Sequence, residues 1–536
     1  MNKTQFIEHL KTIYHRVGEP ELAKPDPVDI QRRAALGQTW YQVAVSEIGT
    51  DANGKEIDVT APVHFYVYDE STPEERAVFK EKAEFLLEKI KESKERTFSV
   101  PEIEEFIDIR KPTGDQNRRS PNLHHAVVIP DAFMEAVINE TTWDLVSPKD
   151  GRVVKTVKAK YLWEKILEVR QTLKGEPYML FVDTVNELAP IEYQFEEVEV
   201  ETSNLCTEIM LRTDENHSGV CCLGSINLEY WEEYQFVFDG FIADCCDYLD
   251  NILQDFIDRT EGLPGFERAR NGAIDERSIG LGVMGFHSLL QSKSIPWESP
   301  MAKGLNITIF EQIKKSADYH NRYSASCPMS DRMPVEITPK RNIHVTAIAP
   351  TMSISSFANV TSSGIEPWGM IAFTKKVKQG SFPVRNKYLA KIIDDYAVSN
   401  DLGGVTPKEW IEAQWSSIKK NNGSVQHLEW LDAWNKDVFK TAFEIDQKWV
   451  IEMAGDRSPL IDQGQSVNLF IPGGSHVQVI SDLHILAWKK KLKSLYYLRS
   501  SAVNRAGTSS TERQKINTTE EVSLDKMMTD TCIGCG

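Results

Sequence analysis

The stretch SNLCTEIMLRTDENHSGVCCLGSINL, Ser203 to Leu228, sets a cysteine two residues before a glutamate and follows them with a second cysteine cluster and an apolar run. In an extended or loop backbone alternate side chains share a side, so Asn204, Cys206 and Glu208 are expected to face one site. That set suits a sulfur-centred oxidant flanked by an amide that orients a hydroxyl and a carboxylate that takes its proton. Taken alone, Asn-x-Cys-x-Glu reads as readily as a strand with an incidental buried cysteine, because free cysteine packs as a small hydrophobe. The surrounding segments decide between the two.

With those segments included, the sequence resembles the large subunit of ribonucleotide reductase, whose catalytic loop reads Asn-x-Cys-x-Glu and is followed by Cys-x-Leu-Gly-Ser-Ile-Asn-Leu, matched here by Cys221 to Leu228. Upstream, EIEEFIDIRKPTGDQNRRSPNLHHAVVIPDAFM from Glu102 and FVDTVN from Phe181 are similar to the same family. Downstream its markers recur in order: RSIGLGVMGFHSLL from Arg277, APTMSIS from Ala349, SGIEP from Ser363, LYYLRS from Leu495 and CIGCG from Cys532. The resemblance runs from Pro101 to Gly536. It implies an α/β fold, the later part of a ten-stranded α/β barrel with a catalytic finger loop through its centre. The expected division is an unassigned N-terminal module or leader over 1–98, the barrel over 99–505 and a flexible redox tail over 506–536.

Periodicity agrees with a mixed α/β chain. His64 to Tyr68 reads as a strand and Pro73 to Ser93 as an amphipathic helix, which makes the N-terminal module a small α/β unit. Further on, a helix over Tyr161 to Leu173 precedes a short apolar run at Tyr178 to Val182.

The 536 residues, 41% hydrophobic and 26% charged, suffice for a large core in more than one domain. A net charge of -18 argues against nucleic acid as a partner, since nonspecific binding to it rests on basic surface. No apolar run reaches the roughly 18 residues of a membrane span, and MNKTQFIEHLKTIYHR lacks the apolar centre of a signal peptide, so a cytoplasmic protein is expected. Eight cysteines are too sparse for a disulfide scaffold and read as thiols. Cys532-x-x-Cys535 is half of a zinc site, but no second Cys-x-x-Cys or nearby Cys/His pair completes it, and no metal is expected on this chain.

Gly280, Gly282 and Gly285 spell Gly-x-Gly-x-x-Gly before a helix. The preceding AIDERSI is a poor buried strand and no acid follows about twenty residues on, so close packing is the better reading than a dinucleotide fingerprint. Phosphate binding is better sought at Pro350, Thr351, Met352, Ser353 and Ile354, where small hydroxyls and the amides of a helix start would accept an anion. By itself that segment is an ordinary N-cap; the resemblance implies that it holds the substrate's phosphates. The polar stretch after Ala506, ending in Cys532 and Cys535, reads as a mobile arm carrying a dithiol competent for exchange.

The resemblance further implies a mechanism. A thiyl radical on Cys206 takes the 3′-hydrogen of a ribonucleoside diphosphate, Glu208 accepts the 3′-hydroxyl proton, and Asn204, with Leu205 and Thr207 beside it, holds the ribose. Tyr496 and Tyr497 relay the radical from a metal-containing small (beta) subunit. Cys221 is one of two cysteines that oxidise to a disulfide, which Cys532 and Cys535 reduce before being reset by thioredoxin or glutaredoxin. The family's other redox cysteine precedes its catalytic loop, and no cysteine precedes Cys206 here. The simplest expectation is the C-terminal part of a split large subunit, as a gene interruption in a phage would produce, completed by a separate N-terminal polypeptide. The alternatives are a non-catalytic relic or regulatory partner of the small subunit, and a self-sufficient minimal reductase in which Cys222 or Cys327 replaces the absent cysteine.

Overall fold

The computed structural model describes residues 100–501, apart from 121–122, 173–174, 235–236 and 378–379, together with four strands between residues 39 and 67. Those four form one nested antiparallel hairpin: Val43–Thr50 pairs with Glu56–Val63, and outside them Thr39–Trp40 pairs with Tyr66–Val67. The last pair falls within the strand expected at His64 to Tyr68; the expected helix at Pro73 to Ser93 lies outside the described residues, as do Cys532 and Cys535.

The centre of the molecule is a run of mostly parallel strand pairings. Cys222–Asn227 runs parallel to Ile279–Met284 over six residue pairs. The ladder continues through parallel bridges from Leu281 to Thr346 and from Ile348 to Gln465. Just beyond, Leu469–Ile471 lies parallel to Leu498–Ser500. The residues before the latter, Ser494–Leu495, turn the ladder onto Tyr178–Phe181, which runs parallel to Ala126–Ile129. Tyr178–Phe181 and Ile279–Met284 are buried at every position, as strands covered on both faces must be.

Helices supply the cover. In Phe238–Arg259 the buried residues Phe238, Ile242, Cys246, Leu249, Leu253 and Ile257 recur every three or four positions and make one apolar stripe. Leu249 packs where a Cβ on Gly224 would sit, so helix and strand touch. Burying each such leucine contributes about 1.5–3 kcal/mol. Cys246 is therefore a stripe residue, and Cys327 belongs to a separate apolar cluster with Tyr193, Met329 and Ile343. Ala159–Thr172 covers the other side, close to the helix expected there, and fixes Trp163 by an indole bond to Ser481 at 2.8 Å.

The Gly-x-Gly-x-x-Gly string is explained by packing. Gly280 and Gly282 lie within the strand, not after it. A Cβ on Gly282 would stand 2.3 Å from the Ala347 carbonyl, and one on Gly280 would stand 2.9 Å from the Cys221 sulfur. Gly285, at φ +83°, turns the chain into the helix Phe286–Ser292. Among the described residues no helix is long and apolar enough to cross a membrane.

Candidate active site

The Asn204 to Glu208 segment is a tight turn, the loop form of the two backbones expected there. The Thr207 amide donates to the Asn204 carbonyl at 3.2 Å. Asn204 Oδ1 then accepts the amides of Glu208 and Ile209, each at 3.1 Å, so the side chain expected to face a ligand also closes its own loop. Thr207 is driven to φ +65°, a conformation that costs a β-branched residue roughly 1–3 kcal/mol. Three further bonds offset that strain.

Each successive carbonyl of the turn is held from the strand ladder. Ser466 Oγ donates to the Cys206 carbonyl at 2.6 Å, Ser494 Oγ to the Thr207 carbonyl at 2.7 Å, and the Gly464 amide to the Glu208 carbonyl at 2.7 Å. Ser466 Oγ also lies 3.3 Å from Glu208 Oε2. Gly464 is obligatory, because a Cβ there would stand 2.9 Å from the Thr207 carbonyl and 3.1 Å from Glu208 Cα. Cys206, Thr207 and Glu208 are wholly buried.

Gln463 connects this turn to the second cysteine. Its Oε1 accepts the Met210 amide at 3.1 Å while its Nε2 lies 3.4 Å from the Cys221 sulfur. Lys493 fixes the segment by donating to the carbonyls of Asp462 and Gln463 at 2.6 and 2.7 Å. Burial pushes the Cys221 thiol far above the ordinary cysteine range. Cys222, the next residue, packs instead against the main core, its thiol raised to about 11 by burial. Adjacent strand residues face opposite ways, and these two cysteines obey that rule.

On the other side of Cys206 stands a cluster of three tyrosines. The Tyr496 hydroxyl is 3.4 Å from the Cys206 sulfur. The rings of Tyr496 and Tyr497 are 4.3 Å apart, and Tyr178, which the sequence reading left as an anonymous strand residue, lies 4.7 Å from the first and 5.0 Å from the second. Arg170 donates to the Tyr496 carbonyl at 2.9 Å from a wholly buried position, where burial lowers its guanidinium to about 9. Tyr497 is held by its amide on Asn468 Oδ1 at 3.0 Å, and Asn468 in turn donates to Glu366 Oε2 at 2.6 Å. Arg499 lies over the Tyr497 ring at 4.6 Å.

The Pro350 to Ile354 segment begins two residues past Ile348, which bridges to Gln465, and so opens at the end of the ladder that holds the turn. Thr351, at φ +53°, accepts the Gly364 amide on its hydroxyl at 2.6 Å, and Ser355 and Ser363 share a hydroxyl bond at 3.0 Å. The helix expected there is a single turn, Ile354–Phe357. The structure thus joins Asn204, Cys206, Glu208, Tyr496 and Tyr497 through direct or one-residue contacts, and ties Cys221 to the same segment through Gln463 and Met210. Sequence reading missed Gln463, Ser466, Ser494 and Asn468, which lie outside the family markers and carry no local signal.

Comparison with known proteins gives a consistent picture. The family described as "Ribonucleotide reductase, barrel domain" matches residues 98–334 and 331–498. A relative from Frog virus 3 (isolate Goorha) is 39% identical over 408 residues, 76% of this chain and 69% of its own. The ribonucleoside-diphosphate reductase large subunit of Invertebrate iridescent virus 3 is 34% identical over 463 residues, 76% of this chain and 71% of its own. Among solved structures, the Actinobacillus ureae class Id ribonucleotide reductase alpha subunit superposes with a TM-score of 0.64 at 29% identity, over 75% of this chain and 69% of that one.

Proposed function

The chain belongs to the ribonucleotide reductase family, as a large-subunit barrel, and from that premise we propose that it reduces ribonucleoside diphosphates by thiyl-radical chemistry centred on Cys206. The observation that carries the proposal is the unbroken contact from Tyr497 through Tyr496 to the Cys206 sulfur, with Glu208 two residues further on the same turn. A hydrogen atom passes from the Cys206 thiol to the Tyr496 phenoxyl, leaving a thiyl radical. That radical takes the ribose 3′-hydrogen while Glu208 accepts the 3′-hydroxyl proton, and the 2′-hydroxyl leaves as water. Cys221 and a second thiol supply the proton and the two reducing electrons as they become a disulfide. Cys532 and Cys535 restore them by exchange, with thioredoxin or glutaredoxin as the external reductant.

The oxidant comes from a metal-containing small subunit that meets the Tyr497 end of the stack. Pro350 to Ile354 take the diphosphate, supported by the hydroxyls of Ser355 and Ser363, bonded to each other, and of Thr351 on the Gly364 amide. The thiol opposite Cys221 comes from a separate N-terminal polypeptide. Cys327 is ill suited to that part because it packs with Tyr193 and Met329, and Cys222 because it faces the core. One finding favours a second reading, a chain that works without such a supplement: the relative from Frog virus 3 is of similar length, the matched stretch being 76% of one and 69% of the other.

The test is to purify the tagged chain from its native host, identify bound proteins and assay the eluate for CDP reduction. The proposal expects a second polypeptide with a redox cysteine, the small subunit, and turnover that Cys206→Ala abolishes. Turnover without any second large-subunit polypeptide selects the second reading, and turnover that survives Cys206→Ala sinks the thiyl mechanism.

A further inference from the structure

We propose that the side-chain amide of Gln463 is a catalytic group of the re-reduction step, donating to the Cys221 sulfur as that sulfur leaves the disulfide, an inference that rests on the thiol roles proposed above. Thiol–disulfide exchange expels one sulfur as a thiolate, and it slows as that thiolate becomes harder to form. Burial pushes the Cys221 thiol far above the ordinary cysteine range, so by itself it is a poor leaving group. The hydrogen bond from Gln463 works in the opposite direction.

The contacts of Gln463 fix which atom faces the sulfur. Its Oε1 accepts the Met210 amide at 3.1 Å, whereas Nε2 lies 3.0 Å from the Ile279 carbonyl and 3.4 Å from the Cys221 sulfur. Turning the amide over would set oxygen against the Ile279 carbonyl and NH2 against the Met210 N–H. The two Nε2 protons therefore serve the carbonyl and the sulfur, one each. The side chain cannot retreat: Gln463 is 1% exposed, its backbone amide donates to the Thr346 carbonyl at 3.0 Å, and Lys493 holds its carbonyl at 2.7 Å. The sulfur stands over Gly280, where a Cβ would be 2.9 Å away. In the reduced state the Cys221 S–H donates to the Cys222 carbonyl at 3.8 Å, which leaves the sulfur free to accept. Among the described residues Gln463 is the one side-chain donor on that sulfur.

The step balances with the tail dithiol as reductant. One tail thiolate, from Cys532 or Cys535, attacks the sulfur opposite Cys221 and forms a mixed disulfide. The bond to Cys221 breaks, and Cys221 leaves with its electron pair as a thiolate held by the Gln463 N–H. The other tail thiolate then resolves the mixed disulfide and releases the opposite cysteine. Two electrons pass from the tail to the Cys221 pair, and the two protons given up by the tail thiols return through solvent to the new thiols. Nucleotide reduction makes no such demand on Gln463, because there Cys221 ends in a neutral disulfide.

The experiment uses pre-reduced holoenzyme, freed of external reductant and mixed rapidly with CDP. Each dithiol reduces one nucleotide, so the first equivalent of dCDP comes from the Cys221 pair and the second only after exchange with the tail. Gln463→Met fills the same space without the N–H. It is expected to form the first equivalent at the wild-type rate and the second about 10- to 100-fold more slowly, the loss that goes with one hydrogen bond to a charged atom. Gln463→Glu keeps an oxygen for the Met210 amide, and its one possible O–H goes to the Ile279 carbonyl, the stronger acceptor. It should show the same split, and it decides if Gln463→Met does not fold, with melting temperatures recorded for both. Equal loss in both equivalents, a loss confined to the first, or no loss in either overturns the proposal. A wild-type holoenzyme that forms no first equivalent sinks the Cys206 reading instead, and one that forms no second sinks the role of the tail.

Discussion

Gly464→Ala measures how tightly the Cys206 turn is held. A Cβ at this position would lie 2.7 Å from the Met210 Cε, 2.9 Å from the Thr207 carbonyl oxygen and 3.1 Å from Glu208 Cα. The Met210 methyl can swing aside. The Thr207 carbonyl cannot do so freely, because Ser494 Oγ already holds it at 2.7 Å, and Thr207 is committed to φ +65°. Relieving the clash therefore moves the turn by about half an ångström, at a cost of about 1–3 kcal/mol in stability. Turnover should fall roughly 10- to 100-fold, since a displacement of about 1 Å can cost a hundredfold in rate. Gly304→Ala is the control: it lies inside the helix Pro300–Tyr323 with nothing within 4 Å of the new methyl, and should gain about 0.5–1 kcal/mol without changing turnover. The assays are thermal unfolding of both variants and CDP reduction at matched small-subunit occupancy. A Gly464→Ala enzyme within about twofold of wild-type turnover would refute the claim that the turn is rigidly positioned.

Two other outcomes are expected. Tyr496→Phe keeps the ring stack but removes the hydroxyl 3.4 Å from the Cys206 sulfur, so nucleotide binding should persist while turnover drops to the level of Cys206→Ala; activity clearly above that level would take Tyr496 out of the relay. Burial raises the Glu276 carboxyl from 4.5 to about 8, so the folded state favours the protonated form and stability is lost as the pH rises from 4.5 through 8, by on the order of 5 kcal/mol. Glu276→Gln should melt close to wild type at about pH 5 and clearly above it at about pH 9; parallel curves would show that Glu276 ionises freely.

What the sequence revealed and what it hid have physical causes. The ordered markers made the barrel legible, because glycines such as Gly282, against the Ala347 carbonyl, and Gly280, against the Leu223 and Cys221 side chains, stand where close packing leaves no room for a side chain. The helix expected over Tyr161 to Leu173 was equally accessible through its spacing, and Ala159–Thr172 forms there. Between the extended and loop backbones open at Asn204 to Glu208 the sequence could not choose, because the turn is braced by Gly464, Ser466 and Ser494, which are remote in sequence and carry no local signal. Tyr178 was invisible for the same reason: its strand YMLF is buried throughout, and its partners Tyr496 and Tyr497 arrive from the far end of the barrel. The one-turn helix at Ile354 shows the converse limit. Small hydroxyls announced a helix start, but not how soon the helix would end.

The hydrogen bonds that shape the turn also fix when it can exist. Ser466 lies 260 residues beyond the Cys206 carbonyl it holds, Ser494 lies 287 beyond Thr207, and Tyr496 lies 290 beyond Cys206. Closing loops of that length has its entropic cost before any contact rewards it, so such contacts form late in folding. A nascent chain that has passed Leu228 carries every atom of the Cys206 turn and the Asn204 bonds that close it, but none of the partners that brace its carbonyls. Docking of Ser494 to Ser500 completes that bracing, bringing Ser494 onto the Thr207 carbonyl and the Tyr496 hydroxyl to the Cys206 sulfur in one step.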